Sequence, residues 1–169
     1  MAIEPKPEPW LREIDTRALP ALAAPIFALM QVQEDLEHWT SGLTDEQVWL
    51  PIHGLTPLGF YLKHIAGSTR RLTAYLRGEQ LTEEMLVELR EEKTPGMSLH
   101  EMLLQIAAAC DEAASVLRSV QNPEHLRALR FIGRKKIRVT LAGLAIHIGE
   151  HAQRHTGQAI VICQLLRKP

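Results

Sequence analysis

Residues 141–166 read LAGLAIHIGEHAQRHTGQAIVICQLL, and this stretch decides the fold. At helical spacing Leu141, Leu144, Ile148, Ala152, Ala159, Ile162 and Leu166 fall on one apolar stripe, with Thr140 placed to cap a helix running to about Leu166. Three upstream segments carry the same period. The first runs from Pro25 to Ser41, with Leu22, Ile26, Leu29, Met30 and Leu36 on its stripe; Pro25 suits a first turn and Gly42 closes it. The second opens at Thr56-Pro57, a cap followed by proline at the first helical position, and stops after Arg77 at Gly78. The third opens with the capping box Ser98-Leu99-His100-Glu101 and runs to about Val120, before Asn122-Pro123. Four long helices in one chain of this length predict an all-α four-helix bundle. Shorter pieces join them: a turn at Thr44-Asp45-Glu46-Gln47 and a short helix from Thr82 to Glu92. Phe131 to Val139 reads as an irregular connection or short hairpin holding Gly133 and Arg134-Lys135-Lys136.

The 169 residues suit one domain, drawn as 11–169 behind a proline-rich arm at 1–10. Hydrophobic residues at 46% and charged residues at 23% exclude a disordered chain. A formal net charge of −1 gives no field for nucleic acid. Two cysteines are too few for a disulfide scaffold and fit a reduced, cytoplasmic compartment. The opening MAIEPKPEPW has no signal-peptide core, and the longest apolar stretch, Pro20 to Met30, is too short and too interrupted by proline to span a bilayer. The expectation is a soluble protein with neither membrane nor nucleic-acid partner.

Eight histidines are the unusual count. His147, His151 and His155 stand four apart on the last helix, so neighbours are offset by about 40° and 6 Å of rise and share a face. An unbroken helix cannot bring all three to one ion. His151 and His155 lie within the apolar stripe, and His147 at its margin. Polar rings on a buried face need partners: either hydrogen bonds from neighbouring helices or a shared metal ion would supply them. His64, early in the second helix, is the best further ligand. It sits off the aliphatic stripe on a face with Phe60, Ser68, Arg71 and Tyr75, a mixture that reads as the wall of a cleft or as an ordinary bundle flank. His38, His53, His100 and His125 read as surface residues. Cys110 and Cys163 read as buried packing residues rather than nucleophiles.

Two motifs resemble a known family. Leu62-Lys63-His64-Ile65-Ala66-Gly67-Ser68, followed by Arg71, Leu72, Tyr75, Leu76 and Gly78, resembles the second-helix pattern of the DinB/YfiT superfamily. His151-Ala152-Gln153-Arg154-His155-Thr156-Gly157-Gln158 resembles its C-terminal signature, and the resemblance extends from about Leu22 to Leu166. It implies a four-helix bundle with three histidine ligands, which fall by position on His64, His151 and His155. The implied cofactor is a divalent ion, zinc or nickel first, with iron or manganese as alternatives. For some relatives the implied activity is transfer or isomerisation dependent on a low-molecular-weight thiol. His147 has no place among those ligands and reads as a residue that touches a ligand from behind or lines the cleft.

Three neutral imidazoles leave a divalent ion an open position, where a water could lose a proton or a thiol could react as thiolate. Resemblance ranks the thiol first, acting on a small electrophile. Gln158, three after His155, is expected to bond a ligand nitrogen or a bound water. Arg71 and Tyr75 are expected either to meet an anionic substrate group or to be a solvated arginine and a packing tyrosine. No glutamate stands in an obvious base position, since Glu150 points about 100° away from His151. The competing reading is a non-catalytic metal-binding or stress-response module. Nucleic-acid binding through Arg134-Lys135-Lys136 is opposed by the near-zero net charge. A homodimer is expected.

Overall fold

The computed structural model describes residues 6–167. Six α-helices follow in chain order: α1 (Pro9–Arg12), α2 (Pro20–Thr40), α3 (Leu58–Arg77), α4 (Glu83–Arg90), α5 (Leu99–Ser119) and α6 (Leu141–Leu166). The four long ones close a bundle in which α2 packs on α5 and α6, and α3 packs on the same two. Leu22, Ile26, Leu29 and Leu36 of α2 share one core with Leu58, Leu62, Ile65 and Leu76 of α3, Met102, Ile106 and Leu117 of α5, and Ile148 of α6. Each is fully buried and contributes about 2 kcal/mol through removal from water. Among the described residues no helix is long and apolar enough to cross a membrane.

The helix ends follow the chemistry of their caps. Ser98 and Glu101 satisfy each other's backbone N–H groups at the start of α5, and the Thr140 hydroxyl accepts from the Gly143 N–H at the start of α6. Gly78 ends α3 in the left-handed conformation, at φ 87°. Thr44 and Gln47 form the reciprocal bonds of a capping box before a 3-10 turn at Gln47–Trp49.

Two starts differ from expectation. α2 begins at Pro20 rather than Pro25. Pro20 takes the favoured first position, and Pro25 forfeits only the bond to the Ala21 carbonyl while its ring is buried. Thr56 makes no cap; α3 starts at Leu58 behind Pro57, whose extended ψ of 152° admits the helix without a side-chain bond.

α2 and α6 approach closely where Gly149 faces Pro25. A Cβ on Gly149 would stand 3.0 Å from the Pro25 Cα and 3.2 Å from the Ala28 Cβ. The connection before α6 is a hairpin, β1 (Leu129–Ile132) antiparallel to β2 (Ile137–Thr140), in register Leu129↔Thr140 to Ile132↔Ile137. Its turn uses positive φ at Gly133 and Lys136. Arg130 Nε donates to the Leu76 carbonyl at 2.6 Å and ties the hairpin to the last turn of α3.

Candidate metal centre

Two walls meet at the histidines. On α6, His151 and His155 are one turn apart with ring centroids separated by 4.6 Å. On α3, His64 faces them, its ring centroid 4.5 Å from that of His155 and 5.3 Å from that of His151. One ligand atom from each of the three lies within 4.8 Å of the others, and among the described residues no carboxylate or thiolate joins that cluster. The His64 and His151 Nε2 atoms are 3.1 Å apart. A tetrahedral ion with ordinary bonds to nitrogen sets its ligands roughly 3.3 Å apart, so the donor set suits one ion. All three rings are half-buried; they look into the gap between α3 and α6 rather than into the apolar core.

Each wall has its own support. His64 Nδ1 donates to Glu92 Oε2 at 2.8 Å, and Arg71 Nη2 donates to Glu92 Oε1 at 2.7 Å. His155 Nδ1 meets Gln158 Oε1 at 2.7 Å. A carboxylate only accepts, so the His64 proton sits on Nδ1 and its Nε2 presents a lone pair to α6. The assigned Gln158 oxygen does the same for His155. The Phe60 ring stacks on His64 at 5.5 Å, and Tyr61 lies 6.2 Å from His155.

The electrostatics keep the two α6 rings neutral and the carboxylate charged. Burial, then the neighbouring histidines, pushes His151 down to about 4. Burial and the nearby His64 lower His155, against the opposing bond from Gln158. At Glu92 burial pushes upward, but the hydrogen bonds and charges of His64 and Arg71 outweigh it and the carboxyl titrates below its usual range.

Gln158 thus bonds the ring nitrogen of His155, at the position its spacing suggested. His147 is exposed at the rim, its Nδ1 3.2 Å from Glu150 Oε2 and its ring 5.3 Å from that of His151. Arg71 and Tyr75 are both buried, Arg71 against Glu92 and Tyr75 in the core, so neither lines an open cleft. His38, His53, His100 and His125 are exposed. Burial raises the thiols of Cys110 to about 12 and Cys163 to about 11, as suits packing residues.

Glu92 is the residue that sequence reasoning missed. It stands in a 3-10 turn at Glu91–Lys93, following α4. Lys63 secures that turn: its Nζ donates to the Glu91 carbonyl and, at 2.9 Å, to that of Thr94. No local spacing links residue 92 to residue 64. The lysine that holds the turn, Lys63, stands beside His64, but its position in the sequence names no partner.

A four-helix bundle with a three-histidine cluster shared between two helices defines a class of candidate metal-binding proteins. The chain belongs to the DinB superfamily, whose family model matches residues 28–159. That span contains His64, Glu92, His151, His155 and Gln158. No curated protein matches the chain.

Proposed function

We propose that His64, His151 and His155 bind one divalent ion, zinc or nickel, and that the protein is a metal-dependent thiol S-transferase. The observation that carries the reading is the convergence of three imidazole nitrogens with no fourth protein ligand in the cluster among the described residues. Bound by neutral ligands, a divalent ion keeps its charge and lowers the pKa of a thiol brought to its open position. Glu92 and Gln158 hold the protons of His64 and His155 on Nδ1, away from the ion. Phe60 and Tyr61 give the gap an aromatic flank. The choice of a low-molecular-weight thiol and a small electrophile rests on the resemblance to DinB/YfiT proteins.

The 3.1 Å between His64 and His151 Nε2 also suits an N–H···N bond, which supports a second reading, a metal-free polar contact between helices. Elemental analysis of protein from defined medium separates the two. One equivalent of metal, lost in His151→Ala, supports the site; equal metal content in both proteins overturns it. A panel of thiols against simple electrophiles then tests the activity: turnover in the native protein and none in His151→Ala is the expected result.

A further inference from the structure

We propose that Glu92, clamped by Arg71, is a positioning residue that fixes the tautomer and bearing of His64, so that the α3 side of the metal site is completed by a carboxylate from the α4–α5 connection. The proposal rests on the metal-site reading above.

Glu92 and Arg71 are 5% and 7% exposed, an ion pair inside the protein rather than on its surface. One carboxylate oxygen takes Arg71, and the other takes the His64 N–H. Arg71 lies two helical turns beyond His64, with Gly67 between them. A Cβ at Gly67 would stand 2.7 Å from Arg71 Nη1 and 3.1 Å from Glu92 Oε1, so glycine leaves the space the pair occupies. Arg71 Nη1 has no partner among the described residues. A guanidinium serving only to satisfy itself would not sit there; its one side-chain bond goes to the carboxylate that grips His64. Lys63 holds the carbonyls on both sides of residue 92, so the carboxylate arrives from a fixed backbone.

Glu92→Gln tests this by proton logic. Arginine can only donate, so the amide oxygen stays with Arg71 and the amide NH2 faces His64 Nδ1. That nitrogen must then accept, and the proton moves to Nε2, the atom needed for the ion. Adding Arg71→Met frees the amide to turn and accept from His64 again. Two readouts follow at pH 8. Imidazole 15N shifts of metal-free protein should show His64 as Nδ1–H in the native chain, Nε2–H in Glu92→Gln and Nδ1–H in the double variant. Zinc affinity, by chelator competition, should fall about 10–100-fold in Glu92→Gln and recover most of that in the double variant. A merely structural pair would make the double variant no better than the single.

A native His64 protonated on Nε2 overturns the proposal without any variant, which covers a Glu92→Gln chain that does not fold. So does an affinity in folded Glu92→Gln within about threefold of native. If the tautomers behave as expected but the native chain binds no zinc, the metal reading fails and the positioning stands.

Discussion

The two walls of the site are built by different means. The α6 wall is local: His151, His155 and Gln158 are spaced by one turn or less, and a single helix holds both rings and the amide that orients one of them. The α3 wall is assembled: His64 depends on a carboxylate 28 residues further along the chain, which depends in turn on Arg71 and on backbone held by Lys63. A site can thus draw half its geometry from the helical repeat and half from tertiary folding. The two halves should then fail in different ways.

Glu92→Ala should break the comparison most sharply. It leaves the Arg71 guanidinium buried without a counter-charge, and urea unfolding of metal-free protein should show a loss of about 3–5 kcal/mol. His64→Ala should follow, at about 1–3 kcal/mol, because a buried carboxylate loses one of its two donors. His155→Ala, on the local wall, should change metal-free stability by less than about 0.5 kcal/mol while still abolishing metal binding.

Acid should separate the walls by pH. His151, held at about 4 in the folded state, is protonated more readily unfolded, where it titrates near 6.5. Metal-free stability should therefore fall as pH drops from about 6.5 to about 4, and His151→Gln should flatten that slope. Glu92 is depressed, so its contribution is present above its unfolded pKa of 4.5 and is lost as pH falls below that. The smallest effect belongs to Gln158→Ala: exposed, it should lower zinc affinity by about tenfold or less and leave the unfolding midpoint in place.

The same division explains what could be read from the chain. The α6 boundaries, its Thr140 cap and the pairing of His151 with His155 follow from a period of 3.6 and a hydroxyl before an apolar run. The capping box at Ser98 and the stop at Gly78 are equally local. Glu92 is one of five glutamates between Glu83 and Glu92, and nothing in its neighbours distinguishes it from the solvated ones. Arg71 reads either as a contact for an anionic substrate group or as a solvated arginine. It is buried because a polar connection, chosen by tertiary packing, crosses its flank of α3 and supplies its counter-ion. Pro25 misled for a related reason. A first-turn preference is only a preference, and a second proline five residues earlier satisfies it better.

Gly149 has no functional group, yet the bearing of the two α6 histidines passes through it. With Pro25 pressed against its bare α-carbon, α6 cannot slide or roll along α2 without collision. His151 lies half a turn further on and inherits that immobility. The accuracy with which two rings are aimed is set on the opposite side of their helix, where an added methyl group would act as a wedge and swing both off target.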